Sequence, residues 1–161
     1  MTKANEIILW RHADAEPING EMDDLERALS EKGKKQAKRM AKWLNQRLYN
    51  QALILSSPAL RATQTADALD RKYHIEKNIA PTATPRGVFR IMTQHFDTDI
   101  KDKQQILLIG HQPYVGKLAA MMLGIGDIDL GIKKGSVWWL RADKDEPLRF
   151  KLITVMSPSL L

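Results

Sequence analysis

Two histidines and two arginines stand directly after apolar runs of the chain. Arg11-His12 follows Ile7-Ile8-Leu9-Trp10, Ser56-Ser57 closes Ala52-Leu53-Ile54-Leu55 with Arg61 soon after, and Gly110-His111 closes Gln105-Ile106-Leu107-Leu108-Ile109. Runs this short and apolar fit buried strands bounded by turn residues. In open α/β sheets, ligands bind outside the carboxyl ends of the strands. Three separate segments would therefore bring Arg11, His12, Arg61 and His111 to one crevice. Gathering like charges is costly unless an anion lies between them. The anion that suits this set is a phosphate, because guanidinium forks bind its oxygens bidentately and N–H groups at helix N-termini point at it.

Placing these residues requires strands and helices in alternation, and the sequence supplies them. Residues 6–10 form a predicted strand, followed by a polar loop over 13–28. Ser30 is a suitable N-cap for a helix reaching residue 49, in which Ala37, Met40, Ala41, Leu44 and Leu48 recur at helical spacing. A strand over 52–55 and a helix running to residue 72 come next. Residues 74–79 are read as a short strand, 80–87 as a turn and 88–96 as a helix. The strand over 105–109 stops at Gly110, and Pro113 fits the first turn of a helix that ends near Gly124. Residues 137–140 and 149–156 read as two closing strands, a candidate hairpin. If 137–140 is a strand, Trp138 and Trp139 face opposite ways and at least one belongs to the core. The three strong strands do not alternate apolar with polar, so both faces of their sheet should be covered. The expectation is a single α/β domain over residues 1–161, a three-layer α/β/α sandwich with a mostly parallel central sheet.

Composition narrows the function classes. A chain of 161 residues can bury a core without staples. It has no cysteine, which excludes disulfides, thiolate metal sites and cysteine nucleophiles and suits a reducing compartment. The apolar run before Arg11 is too short for a signal-peptide core or a membrane span, so a cytoplasmic location without a membrane partner is expected. The net charge of +6 raises the question of nucleic acid. Much of the excess lies in Lys32, Lys34, Lys35, Lys38, Arg39, Lys42 and Arg47, which cover the polar face of one predicted helix without an aromatic stacking platform beside them. A solvated helix face is expected, with no specific nucleic-acid partner; its field could still steer anionic substrates. His12-Ala13-Asp14 has no further His, Asp or Glu cluster to complete a metal site, so no metal and no cofactor are expected. The glycines of 124–126 and 131–135 miss dinucleotide and P-loop spacings and read as a helix stop and a turn. His74 and His95 belong to no motif and are expected at or near the surface.

These residues carry a family resemblance. Leu9-Trp10-Arg11-His12-Ala13 resembles the Arg-His-Gly signature of the histidine phosphatase (phosphoglycerate mutase-like) superfamily. Ser56-Ser57-Pro58-Ala59-Leu60-Arg61-Ala62-Thr63-Gln64-Thr65-Ala66 closely resembles its second motif, and Gly110-His111-Gln112-Pro113 its third. Asp24-Leu25-Glu26-Arg27-Ala28-Leu29-Ser30-Glu31-Lys32-Gly33 is similar to a loop of the short branch, the SixA-type phosphohistidine phosphatases. The resemblance covers nearly the whole chain, with order and spacing intact. It implies that His12 is the nucleophile, attacking phosphorus in line to give a phosphohistidine intermediate. His12 must be neutral to attack, and Arg11 and Arg61 nearby favour that state. It further implies that Arg11, Arg61 and His111 hold the phosphoryl oxygens, with His111 favouring its charged form once phosphate is bound. Arg27 is a candidate additional clamp.

Two departures bear on the substrate. Ala13 replaces the signature glycine, which is harmless if the position needs a small side chain and strained if it needs positive φ; the first is expected. The turn over 80–87, where many larger members carry a glutamate as general acid, offers Thr82, Thr84, Pro85 and Arg86 instead. An alkoxide leaving group needs a proton donor, whereas an imidazole leaves readily. The missing acid, and the short segments between motifs, point to phosphohistidine on a partner protein. Asp14 and Glu16, close after His12, are candidate proton donors or merely solvate the loop. The alternatives are a phosphatase or mutase acting on a small phosphoester, opposed by the missing acid, and a non-catalytic phosphate- or nucleic-acid-binding module, opposed by the intact Arg11-His12 and Arg61-His111 pairs.

Overall fold

The apolar run before Arg11 forms the strand β1 (Glu6–Arg11) in the computed structural model, which describes residues 4–96, 104–146 and 148–161. Chain order continues with α1 (Glu31–Asn45), β2 (Leu53–Ser56), α2 (Leu60–Asp67), β3 (His74–Ile75), α3 (Pro85–Gln94), β4 (Gln105–Gly110), α4 (Tyr114–Leu123), β5 (Val137–Ala142) and β6 (Phe150–Met156). One sheet of order β3-β2-β4-β1-β5-β6 holds all six strands. β3, β2, β4 and β1 run parallel, while β5 and β6 form an antiparallel hairpin joined antiparallel to β1. The architecture is the expected layered α/β sandwich with a mostly parallel sheet.

Alternation within each strand feeds two separate cores. Ile7, Leu9, Leu55, Ile106 and Leu108 pack under α3 and α4, against Val88, Met92, Val115 and Leu118. Ile8, Trp10, Ile54, Leu107 and Ile109 pack on the opposite face under α1 and α2, against Met40, Leu44, Ala62 and Ala66. Trp138 lies against the first core and Trp139 within the second, so consecutive tryptophans serve opposite faces. Burying each large aliphatic side chain contributes about 1.5–3 kcal/mol, and β1, β2 and β4 bury such side chains on both faces.

Local chemistry sets the boundaries. Ser30 caps α1, its Oγ accepting from Gly33 N at 3.0 Å. Thr84 caps α3 in the same way, with Pro85 in the first helical position, so α3 begins inside the stretch read as a turn. Gly124 ends α4 at φ 71°, where a side chain would be strained. α1 stops before residue 49 because Arg47 N bonds Leu44 O and tightens the last turn, although Leu48 stays buried. α2 stops well short of residue 72 for a related reason: Leu69 N and Asp70 N bond three residues back, and Asp70 takes φ 51°. The strand read over 74–79 is only two residues long, because the Glu76 carboxylate accepts from Asn78 N at 2.9 Å and turns the chain into a 3-10 helix. Among the described residues no helix is long and apolar enough to cross a membrane.

Candidate active site

Parallel pairing alone brings the chemistry together. Arg11 lies opposite Gly110 across the β1–β4 ladder, and Ser56 lies opposite Ile109 across β2–β4. The ladders extend one bond further, His12 N to Gly110 O at 3.0 Å and Ser57 N to Ile109 O at 3.0 Å. His12, Ser57 and His111 thus leave the sheet at the same edge, and the His12 and His111 rings lie 5.1 Å apart between centroids. Arg61, in the first turn of α2, reaches the same edge and is 4% exposed. Gly110 is required there, because a Cβ would collide with the Tyr114 hydroxyl and the Leu108 side chain.

The exit from β1 is held firmly. Ala13 N donates to Thr65 Oγ1 at 3.1 Å, and the same hydroxyl donates to Arg61 O at 2.7 Å. Thr65 lies one helical turn beyond Arg61, so this contact sets the nucleophile candidate against the arginine. Ala13 is fully buried beside Leu29 and Ala37, and Asp70 is the one non-glycine with positive φ among the described residues. The position therefore calls for a small side chain, not for glycine's backbone freedom.

His12 Nδ1 lies 2.7 Å from the Ala13 carbonyl, which can only accept. In the neutral ring the proton is thus on Nδ1, leaving the Nε2 lone pair for attack. Burial pushes the imidazole down to about 4, with Arg61, Arg11 and Arg27 acting in the same direction and the Ala13 carbonyl opposing. Desolvation, rather than the arginines, is the main cause. His111 is pushed down to about 2 by burial, then by His12 and Arg61, against an opposing pull from Asp24. Both rings are neutral at physiological pH when no anion is bound. His111 Nε2 lies 2.6 Å from Ser57 Oγ, which also accepts from Ala59 N.

Each arginine donates to the protein from the outer end of its guanidinium, while its inner nitrogen has no partner among the described residues. Arg11 Nη1 donates to Ile132 O at 2.7 Å. Arg61 Nη1 donates to Asp24 O at 2.7 Å and its Nη2 to Asp24 Oδ2 at 2.9 Å. Arg11 Nε, Arg61 Nε and His111 Nδ1 are buried without a partner among the described residues. A buried donor without a partner costs about 1–3 kcal/mol; Arg11 Nε and Arg61 Nε are such donors, and His111 Nδ1 is a third in the tautomer that carries its hydrogen there, a set suited to an oxyanion.

The loop over 13–28 is closed at its neck by Ser30 N on Asp14 O at 3.0 Å and Glu16 N on Ala28 O at 2.9 Å. Its 3-10 turn, Asp24–Glu26, carries Asp24 onto Arg61. Arg27 donates from Nη1 to Asp24 Oδ1 at 3.0 Å and from Nε to Glu16 O at 2.9 Å, close enough for its charge to act on His12. Asp14 is tied to Lys134 Nζ at 2.8 Å and to Ser30 Oγ at 2.7 Å, contacts that hold its carboxyl below the usual range. Glu16 is exposed at the outside of the loop. Thr84 and Pro85 are spent on starting α3. His74 and His95 are exposed, away from this cluster.

Four participants carry no role in the sequence reading: Ser57, Thr65, Asp24 and Asp129. Asp129 accepts from Gln112 Nε2 at 2.7 Å and Gly131 N at 2.8 Å, and its charge acts on Arg11. Thr65 had a signal in its one-turn spacing from Arg61, and Asp24 in its i,i+3 spacing from Arg27. Asp129 had none, since its link to Gln112 exists only in the folded chain.

Comparison with known proteins bears on the fold and the family. The family described as histidine phosphatase superfamily (branch 1) matches residues 7–84. An uncharacterized protein of Picosynechococcus sp. is 30% identical over 143 residues, 85% of each chain. Among solved structures, the protein histidine phosphatase SixA complexed with tungstate superposes with a TM-score of 0.81 at 22% identity, covering 96% of this chain and 98% of that one. The putative phosphohistidine phosphatase SixA from Agrobacterium tumefaciens gives 0.79 at 25% identity, covering 96% and 99%. A putative alpha-ribazole-5'-P phosphatase from Escherichia coli gives 0.74 at 17% identity, covering 96% and 98%.

Proposed function

The chain belongs to the histidine phosphatase superfamily, branch 1, and from that membership we propose that it is a protein phosphohistidine phosphatase working through a phosphorylated His12. The observation that carries the choice of substrate is the state of the carboxylates around the crevice. Asp14, Asp24 and Asp129 are each bonded to cations or N–H donors and are held below their ordinary range. A carboxylate so held is a poor proton donor. Expelling an alkoxide needs such a donor, worth about 10²–10⁴ in rate, while an imidazole departs without one.

The proposed course uses the residues as they stand. The phosphoryl oxygens lie against Arg11 Nε, Arg61 Nε and His111 Nδ1, which have no partner among the described residues. We assign the Ser57 hydroxyl proton to His111 Nε2, which leaves the ring hydrogen on Nδ1, facing the oxyanion. His12 Nε2 attacks phosphorus; the new P–N bond forms as the bond to the substrate ring breaks, and that ring, already protonated on its other nitrogen, departs as neutral imidazole while the positive charge passes to phospho-His12. Water then attacks phospho-His12, releasing inorganic phosphate and restoring the neutral ring. Fixed donors aimed at the developing charge supply the stabilisation.

The test is kcat/KM against a phosphohistidine peptide, an aryl phosphate and an alkyl phosphate. The wild type should turn over the peptide fastest, and Asp14→Asn and Glu16→Gln should stay within about threefold of it there, since no proton donor is demanded. If the alkyl ester is the best substrate and either variant abolishes its cleavage, a carboxylic acid is at work and the enzyme acts on small phosphoesters.

A further inference from the structure

The first turns of α1 carry Lys32, Lys35 and Arg39 on an exposed face, and none has a carboxylate at ion-pair distance among the described residues. With Gln36, Pro158 and Ser159 they line a shallow recess of about 410 Å³. Lys133 and Lys134 lie on the adjoining turn and are also exposed; Lys134 alone of these is paired, to Asp14.

This basic surface is built onto the backbone of the catalytic edge. Gly135 N donates to both Arg11 O at 3.1 Å and His12 O at 3.0 Å, so the 133–135 turn rests on the nucleophile's own peptide. Gln36 Oε1 accepts from Asp14 N at 2.9 Å, and a Cβ at Gly33 would collide with the Asp14 carbonyl. The loop after His12 therefore runs directly against the first turns of α1.

The charges are also placed against local stability. Cations near a helix N-terminus oppose the macrodipole, yet Lys32 and Lys35 stand there beside Lys34, which is paired to Glu31 at 2.6 Å. That arrangement adds the field of the helix end to the field of the side chains on the side where the crevice opens. A solvated face needs no such concentration.

We infer that the recess of Lys32, Lys35 and Arg39, continued by Lys133 and Lys134, docks an acidic segment that flanks the phosphohistidine on a protein substrate. The inference rests on the phosphohistidine reading above. Lys32 to Arg39 spans about 10 Å of helix axis, which an extended strand covers with about three residues. Acidic protein suits the surface better than nucleic acid, because Gln36, Pro158 and Ser159 offer no ring for a base to stack on.

Two histidine-phosphorylated peptides, one with a run of glutamates beside the phosphohistidine and one with glutamines, test it. The wild type should favour the acidic peptide in kcat/KM by about tenfold at low ionic strength, and the preference should shrink toward physiological salt. Lys32→Glu with Lys35→Glu and Arg39→Glu should abolish it, and the three glutamine replacements should reduce it. Both triple variants should keep the wild-type kcat on free phosphohistidine at saturation, where steering no longer matters, which also reports that they fold. Equal rates on the two peptides, or a preference that survives the charge reversal, overturns the inference while leaving the phosphohistidine reading in place. A single-stranded DNA oligonucleotide that binds this surface more tightly than the glutamate peptide at physiological salt overturns it in favour of nucleic acid. No turnover of any phosphohistidine donor removes the reading and the inference together.

Discussion

Arg61 enters the crevice with the outer edge of its guanidinium already taken by Asp24, through a backbone carbonyl and a carboxylate oxygen. What remains is the inner edge, with Nε buried and unpartnered. In the proposed reaction Asp24 is thus a positioning residue: it fixes which edge of the fork would meet the phosphoryl group. Removing the fork should cost about 2.7–4 kcal/mol of transition-state stabilisation, so Arg61→Ala should lower kcat and kcat/KM together by roughly a hundred- to a thousand-fold. Asp24→Ala leaves the guanidinium present but loosely held, and a loss of roughly tenfold is expected, smaller than for Arg61→Ala. Steady-state kinetics on a phosphohistidine peptide check the order; an Asp24→Ala enzyme as fast as wild type would show that Arg61 needs no such anchor. The Arg11, His12, Arg61 and His111 cluster is legible in the sequence because strand ends and motifs mark it. Asp24 on Arg61 is not, because the contact depends on how the loop over 13–28 closes back on α2.

At the scale of elements, Ser30 joins two functions at one hydroxyl. It caps α1 through Gly33 N and also meets Asp14 Oδ2 at 2.7 Å, so the start of the helix and the loop after His12 share an anchor. Ser30→Ala should destabilise the protein by about 1 kcal/mol, the usual cost of a lost N-cap. It should change turnover of phosphohistidine only a few-fold, since Asp14 keeps Lys134. Urea unfolding compared with kinetics separates the two; unchanged stability would mean the cap bond contributes nothing. The sequence shows this start plainly, through Ser30 and the apolar period after it. Helix ends are less visible: Leu48 and Leu69 continue the apolar pattern while the backbone has already tightened into turns. Burial, not helix, is what those positions encode.

Across the whole molecule, one sheet edge collects residues that are distant in the chain. Parallel β1, β2 and β4 leave His12, Ser57 and His111 side by side because their registers are fixed by two buried faces, and a one-residue slip would send every side chain into the core packed for its neighbour. That constraint is why both fold and crevice can be anticipated from strand composition. The long-range polar contacts escape such a reading, since Asp129 on Gln112 and Gly135 on His12 arise from loops whose path carries no periodic signal. In the proposed reaction a phosphoryl group passes from a substrate imidazole to His12 Nε2. Mixing enzyme with a phosphohistidine peptide labelled at phosphorus, quenching within one turnover and locating the label tests it most directly. An acid-labile, alkali-stable label should appear on His12 at Nε2 and be absent in an inactive His12→Ala protein. Label on another residue, or a His12→Ala enzyme that still clears the peptide at full rate, would contradict it.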